Sequence, residues 1–504
     1  MKEHAPLKDA FFFSESNKAA ALNLAMQESE ALVAAGILES LNALQQDYKR
    51  ELTLCNQRLE TVLKPEIKAD TLKKQYYENR RFIYSAKLDS LILALEKEYP
   101  KYYELKYATF VAGTDTLQKT LSAQSPNAAI IEYLVSDTAL FVFAITAKNF
   151  AAKKILLPQK ELKKLMNQLG RSYYLLTESD RQDPAKKQNY ISAASKLYQK
   201  LLALIEDILK NKELVIIPDG LLWELPFEVL IKASTEAEAK KLEKLSFEKL
   251  PLLNQFHAIH YSPSATAFLR SFSLPPSRGQ GIFAVAPVFD VQEENVLVGR
   301  SASNRDVTYP QAVAALPGSE SEVKELKELF EKQNLPVKML LKDEAKEEVF
   351  TASPLRDYRY IHLATHGVFN PNKPSWSYLL FARSQDTAAA LAKDGLLTAA
   401  ECYNLKLDSE LVALSACETA RGELKPGEGL VGLTRGLLYS GARSVLVSQW
   451  KAQDEATSRL MRVFYQNLLS GMSKPRALQA AKETMRKSGF AHPYYWAAFV
   501  LVGE

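Results

Sequence analysis

Two short apolar runs in this chain each stop at a side chain capable of covalent or acid–base chemistry. Leu411-Val412-Ala413-Leu414 leads through Ser415 and Ala416 to Cys417, and Tyr360-Ile361-His362-Leu363 leads through Ala364 and Thr365 to His366 and Gly367. Parallel strands ending at a thiol and an imidazole would bring a nucleophile and a base to one sheet edge. The thiolate attacks a carbonyl, and the imidazole takes the thiol proton and later gives one to the leaving amine. Backbone N–H groups of Gly367 and Cys417 are the expected oxyanion donors, and a glycine at 367 admits a substrate closely. Taken singly, a Cys after an apolar strand reads as a small buried hydrophobe, and a His near a strand end as a hydrogen-bonded core residue. The two together, about 50 residues apart in sequence, favour catalysis.

The elements that must position these residues follow from periodicity. From about Ser14 to Tyr107 the apolar residues recur at helical spacing, with a break at Pro65. Ile130 to Val135 and Leu140 to Ile145 read as a hairpin around Ser136-Asp137. Helical stretches then run to about Lys210, and Leu214 to Ile217 is a strand closed by Pro218-Asp219-Gly220. Beyond it strands and helices alternate: strand 282–286, helix 320–331, strands 337–341, 358–363 and 411–414, helix 429–439, strand 444–448, and helices near 455–469 and 474–487. This is an α/β pattern with a mostly parallel sheet flanked by helices, and such sheets bind ligands outside the carboxyl ends of their strands. Ser319 to Glu322 has the form of a capping box. The polar stretch 287–317 reads as an exposed loop.

Bulk properties narrow the class. The 504 residues suffice for two to four domains, and 47% hydrophobic with 24% charged residues fits a soluble globular protein. A net charge of +5 with no basic tail disfavours nucleic acid as a partner. Three well-separated cysteines, Cys55, Cys402 and Cys417, suit a reducing compartment. No signal-like N-terminal segment and no run of about 18 apolar residues is present, so the expected location is cytoplasmic, without membrane insertion.

Beyond these patterns, Thr365-His366-Gly367, Ser415-Ala416-Cys417-Glu418-Thr419 and Gly427-Glu428-Gly429-Leu430 resemble the CHAT family of caspase-like cysteine peptidases related to separase. The resemblance extends through Ile216-Ile217-Pro218-Asp219-Gly220, Leu225-Pro226-Phe227-Glu228, Tyr261-Ser262-Pro263-Ser264-Ala265, Leu316-Pro317-Gly318, Gly441-Ala442-Arg443-Ser444-Val445 and Trp496-Ala497-Ala498-Phe499, covering about residue 125 to the end. It implies a His366–Cys417 dyad in a caspase-like catalytic unit over 276–504, a non-catalytic α/β subdomain over 124–275, and an all-helical region over 1–123. That region is similar to the end of a tetratricopeptide-type array, which would continue further toward the N-terminus in a longer natural chain. Ser-Ala-Cys-Glu-Thr departs from the caspase pattern Gln-Ala-Cys-Arg-Gly, which argues against aspartate specificity. Ser415 stands where metacaspase-like relatives place an Asp for a basic P1 side chain. Separase-like enzymes hold a P1 arginine with an Asp after a Trp-bearing strand, and Trp450 to Asp454 resembles that loop. Asp454 is therefore a P1 candidate, with helix N-capping as its alternative. Asp290, after the strand ending at Ala286, is a second candidate. Trp450 is either a pocket wall or core packing.

The remaining signals are weaker. Gly427 to Gly432 matches a dinucleotide-binding GxGxxG, but Cys417 to Pro426 intervene between it and the preceding strand, so a loop beside the active site is preferred and no cofactor is expected. His362 is expected inside the sheet with a backbone partner. His257, His260 and His492 lack ligand-like companions, so no metal is expected, and Cys402 reads as structural. The expected activity is cleavage of protein substrates after Arg or Lys. Low basal activity would be raised by a protein partner engaging 1–123, with self-cleavage at Arg300 or Arg305 in the exposed loop. The rival reading is a caspase-fold scaffold that no longer cuts and acts by docking.

Overall fold

The protein is described from a computed structural model covering residues 5–18, 22–23, 27–28, 31–32, 35–62, 71–107, 110–289, 316–370, 374–383, 394–415, 423–425, 429–450 and 453–504. The N-terminal part is helical: α1 (Ala5–Ser16), α2 (Glu39–Val62), α3 (Thr71–Glu98), α4 (Pro100–Tyr107) and α5 (Thr114–Gln124). The next elements are β1 (Ala128–Val135), β2 (Leu140–Thr146), β3 (Phe150–Ile155), α6 (Gln159–Gly170), α7 (Pro184–Leu201), β4 (Glu213–Ile217), β5 (Ile259–Tyr261) and α8 (Ala265–Ser271). The chain continues through β6 (Ile282–Ala286), α9 (Pro317–Glu331), β7 (Val337–Leu341), β8 (Tyr360–Leu363), β9 (Gly367–Val368), β10 (Tyr378–Leu380) and β11 (Leu396–Thr398). It closes with β12 (Leu411–Leu414), β13 (Glu423–Lys425), β14 (Gly429–Val431), α10 (Leu433–Tyr439), β15 (Ser444–Ser448), α11 (Asp454–Leu469), α12 (Lys474–Lys487) and β16 (Phe499–Gly503).

One 11-stranded sheet runs through the α/β part in the order β3-β2-β1-β4-β5-β16-β15-β12-β8-β6-β7. The pairs β1–β4, β4–β5, β15–β12, β12–β8, β8–β6 and β6–β7 are parallel, while β1–β2, β2–β3 and β15–β16 are antiparallel. Strands β8 and β12 are buried at every residue, as a parallel sheet covered on both faces requires. That burial explains why their sequences are continuous apolar runs rather than alternating ones. The expected hairpin forms, with Ser136 N–H donating to the Ala139 carbonyl at 2.9 Å.

The expected subdomains 124–275 and 276–504 share this sheet. They meet at the Tyr261–Val502 pair of β5 and β16. Beside that junction a buried Lys482 Nζ donates to Glu228 Oε1 at 2.6 Å, and the Tyr261 hydroxyl donates to Glu228 Oε2 at 2.6 Å. The same hydroxyl accepts from Phe227 N–H at 2.8 Å. Breaking a fully buried ion pair by removing one partner strands the other charge, so this pair holds α12 to the loop after β4.

Three local expectations differ from the structure. Helix α9 begins at Pro317, two residues before Ser319, so the capping box does not form: Ser319 Oγ donates to the Leu316 carbonyl, and Glu322 turns into the core. Proline suits the first helical position because it has no N–H to leave unpaired. Helix α10 begins at Leu433 rather than at Gly429, whose segment forms β14 paired with β13. The strand expected from 358 starts at Tyr360.

Helix α1 is tied to the sheet by groups distant in sequence. Phe11 packs edge-on against Phe143 at 5.7 Å and near Phe150 at 6.5 Å. Ser14 Oγ donates to Glu132 Oε1 at 2.6 Å, and the Glu15 carboxyl accepts from Thr266 N–H at 2.7 Å and Ala265 N–H at 3.0 Å. Lys18 lies 3.6 Å from Asp219, whose other oxygen accepts from Val135 N–H at 2.8 Å. Burial raises the affinity of both Glu15 and Glu132 for protons, and at Glu132 the neighbouring Glu15 charge raises it further while Lys18 opposes. Groups whose folded pKa is raised stabilise the fold at low pH, and that stabilisation is lost as pH rises through the folded pKa. Glu132→Gln, which keeps the Ser14 bond without a titrating carboxyl, should therefore flatten the fall in melting temperature between pH 5 and pH 9. Thermal melts of both proteins across that range check this; parallel curves would contradict it.

Candidate active site

The sheet order places β6, β8, β12 and β15 side by side, so their carboxyl ends form one edge. Leu363 and Leu414 are paired in register, and Ser415 N–H donates to the Leu363 carbonyl at 2.9 Å. His366 and Cys417 thus each lie three positions beyond a paired residue on adjacent strands. Cys417 itself lies outside the described residues, as do Asp290, Arg300 and Arg305.

His366 is only 2% exposed. The Phe289 ring lies 5.6 Å from its imidazole at an interplanar angle of 30°, brought there from the end of β6. Val288, just before it, has φ +40°, a costly conformation for a β-branched residue that turns the chain at this edge. After His366 the chain enters a small antiparallel sheet, β11-β10-β9. Leu380 N–H donates to the His366 carbonyl at 2.9 Å, and Thr365 Oγ1 donates to the Leu380 carbonyl. Those bonds hold the backbone on both sides of the imidazole. They also make Gly367–Leu379 a non-hydrogen-bonded pair, so the ladder turns the Gly367 N–H away from β10.

Next to this edge Thr365, Ser415, Ser448, Glu322 and Asp454 line one small cavity of about 40 Å³, room for only a few waters. Asp454 is the first helical residue of α11, and Gln453 occupies the N-cap position, so the capping alternative for Asp454 does not hold. Gly318 makes the approach of Asp454 possible, because a Cβ there would sit 2.8 Å from the Asp454 Cβ. Trp450 does not line this cavity. It is buried, stacks on Tyr174 at 5.3 Å and 18°, and its indole N–H donates to the Tyr494 carbonyl at 3.1 Å. Its role is core packing against the segment after α6. The structure thus brings Ser415 and Asp454 together and sets Trp450 apart.

Behind the cavity lies a group that strand patterning did not anticipate. His362 is fully buried, with Nε2 2.7 Å from Glu322 Oε1 and Nδ1 3.3 Å from the Tyr465 hydroxyl. These replace the backbone partner expected for it. Burial pushes the Tyr465 phenol well above its usual range, so it stays a neutral hydroxyl. With Nε2–H donating to Glu322, Nδ1 accepts from that hydroxyl. The only sequence signal for this arrangement was an acidic residue on the inner face of α9, which the capping-box pattern had claimed. The other histidines are dispersed: His257 Nδ1 contacts the Lys212 carbonyl at 2.7 Å, and His492 Nδ1 accepts from Tyr494 N–H. Cys402 is fully buried. Among the described residues no group of three or more His, Cys, Asp or Glu side chains is placed to hold a metal ion, and no helix is long and apolar enough to cross a membrane.

Residues 192–504 match the CHAT domain family, and the chain belongs to it. Tetratricopeptide repeat protein 28 of Mus musculus is 28% identical over 344 residues, covering 61% of this chain and 13% of that protein. The Homo sapiens protein of the same name is 27% identical over the same length and coverage. The chain therefore spans about an eighth of the length of these relatives. Among solved structures, Saccharomyces cerevisiae separase in its complex with securin aligns at 12% identity with a TM-score of 0.44, covering 85% of this chain and 34% of that one. The Arg-specific cysteine proteinase gingipain R aligns at 9% identity with a TM-score of 0.32, covering 76% of this chain and 78% of that one.

The Glu322–His362 pair gives a test of how the edge is built. His362→Leu leaves the Glu322 carboxylate buried without its partner and should cost about 3–5 kcal/mol. Replacing both, as His362→Leu with Glu322→Leu, should recover much of that loss. Denaturant unfolding of the two variants measures the difference; equal stability would mean the pair is not coupled.

Proposed function

We propose that this protein is a cytoplasmic cysteine endopeptidase in which Cys417 attacks the scissile carbonyl and His366 exchanges the proton. The observation that carries this reading is the register of β8 and β12, which sends both reactive residues off adjacent strand ends at equal remove from a paired leucine. His366 takes the Cys417 proton, the thiolate bonds to the carbonyl carbon, and the proton passes to the departing amine; water then releases the acyl group. The Gly367 N–H, turned away from its ladder, and the Cys417 N–H would receive the oxyanion. Asp454 and Glu322 beside Ser415 support a P1 side chain of positive charge, and Arg suits a carboxylate better than Lys because it binds with two donors. Asp290 remains a second acid for the same pocket.

Among the described residues, His366 and the space beside Ser415 are closed in. His366 is covered by Phe289, and the cavity that Asp454 shares with Ser415 is too small for an arginine side chain, while the wider cavity of about 650 Å³ that Asp454 also borders lies toward Glu325 and Arg462. Both features support low basal activity that an activating protein partner raises, with the helical region 1–123 as the receiving surface. The same closure is what favours the second reading, a scaffold that docks without cutting.

A cysteine-reactive acyl-Arg peptide probe separates the two readings. Labelling of wild type at Cys417 and none of Cys417→Ala supports the peptidase; no labelling even with cell extract present supports the scaffold. In a peptide-cleavage assay Cys417→Ala and His366→Ala should each lose at least about a thousand-fold in kcat/KM, the two effects being non-additive because they act as a unit. Profiling at P1 should show Arg or Lys, and Asp454→Ala should lose cleavage after basic residues with little loss of melting temperature. A preference for Asp or an apolar P1 would refute the pocket. Intact-mass comparison of activated wild type with Cys417→Ala should show cleavage at Arg300 or Arg305 only in the former.

A further inference from the structure

A second cavity, of about 610 Å³, opens at the amino ends of β4, β8 and β12, the edge of β8 and β12 opposite to the one that carries His366 and Ser415. Its size falls in the range of small-molecule sites. Glu213 begins β4, Tyr360 begins β8 and Glu410 precedes β12; all three line it. One wall is apolar, built from Phe268, Phe272, Leu468 and Met472.

Two independent features point to a ligand there. The first is His260. Residues alternate across β5, so Ile259 and Tyr261 enter the main core while His260 faces the other way, over Phe268 at 6.0 Å. It is 5% exposed, lines the cavity, and neither ring nitrogen has a hydrogen-bond partner among the described residues. A buried imidazole with both nitrogens idle is costly, and native proteins rarely leave one so. Burial, with the Lys474 charge adding to it, pulls its pKa down to about 3, so the ring is neutral with one N–H to give.

The second is the start of α12. Ser473, Lys474 and Pro475 line the cavity, Ser473 makes no side-chain cap, and the first turn holds no acidic residue. Helix N-termini carry unpaired N–H groups and positive potential, which favour an anion. Lys474 adds an ammonium whose contacts with Glu410, at 3.2 Å to the carbonyl and 3.4 Å to Oε2, are long for three donors.

We propose that this cavity binds a small monocarboxylate with an apolar tail, its carboxylate between His260, Lys474 and the α12 N-terminus, and its tail against Phe268, Phe272 and Leu468. A single negative charge is favoured over a phosphate dianion because Glu213, Glu410 and Glu504 also border the cavity. Glu213 is matched by Arg476 at 3.5 Å and Glu410 by Arg443 at 3.3 Å, and the third acid of the lining, Glu504, is opposed by the Lys474 charge, so an amine would compete with cations already in place. The site is independent of peptide cleavage and stands whether or not His366 and Cys417 act.

Isothermal titration calorimetry of the full chain with octanoate, octylamine and inorganic phosphate tests this. Octanoate should bind one-to-one with Kd below about 1 mM, and the other two at least about ten-fold more weakly. His260→Phe and Lys474→Met should each weaken octanoate by at least about ten-fold. Met472 is 44% exposed, so Met472→Trp can fill the mouth while leaving the buried polar groups in place. It should lose octanoate binding while melting within a few degrees of wild type, which keeps the test decisive if a buried variant fails to fold. Absence of saturable octanoate binding, equal binding of octylamine or phosphate, or unchanged binding in Met472→Trp would overturn the proposal.

Discussion

Everything at the candidate active edge depends on the parallel register of β8 with β12. Leu363 opposite Leu414, locked by the Ser415 N–H bond to the Leu363 carbonyl, sets where both strands stop. A slip of one residue would turn each buried side chain to the opposite face and move His362 off Glu322. Because both faces of these strands are covered, no such slip is tolerated. The register is therefore at once the packing solution and the reason the chain leaves β8 and β12 side by side at Ala364 and Ser415.

Buried polar groups do the remaining specification. Glu322 with His362 joins α9 to β8, Lys482 with Glu228 joins α12 to the loop after β4, and Ser14, Glu15 and Lys18 join α1 to β1, α8 and the end of β4. Each links elements far apart in sequence at a point where an apolar contact would serve stability equally well. Buried polar contacts of this kind discriminate between one docking arrangement and its neighbours, since a displaced partner leaves a buried polar or charged group unpaired. The helical region is thereby attached to the β1–β5 half of the sheet, and it also touches the other half, where α2 meets the short helix Ala399–Cys402 and Leu22 lies beside Thr434 and Leu438 of α10.

The two edges of the sheet differ in character. At the carboxyl ends of β6, β8, β12 and β15 the described groups between His366 and Ser415 are crowded, with Gly318 admitting the close approach of Asp454 and Phe289 lying over His366. At the amino ends of β8 and β12 the α11–α12 turn stands off from the sheet and leaves a wide cavity with a polar floor. That asymmetry follows from connection length. The short link from β12 to Ser415 is held by the neighbouring strand, whereas the turn through Gly471, at φ +92°, leads the chain away.

The sequence by itself determined the local elements and the chemistry on offer. The strands around 130–145, 214–217, 282–286, 337–341 and 411–414 and helix α12 were legible because buried parallel strands are continuous apolar runs and surface helices carry a 3.6-residue apolar stripe. Family membership was legible because its motifs stand in order along the chain, and His366 and Cys417 were singled out as a candidate pair because each follows such a run. Tertiary structure alone decided which polar groups meet. Glu322 looked like half of a capping box, yet Pro317 moved the helix start and left the carboxylate facing His362. Trp450 and Asp454 are close in sequence but separate in space, one in the core beside Tyr174 and one at the cavity with Ser415. His260 had no nearby companion in sequence, and only the folded sheet set it beside Lys474. Local pattern reports which face a residue takes; which distant group lies opposite is fixed by strand order, and strand order has no local signature.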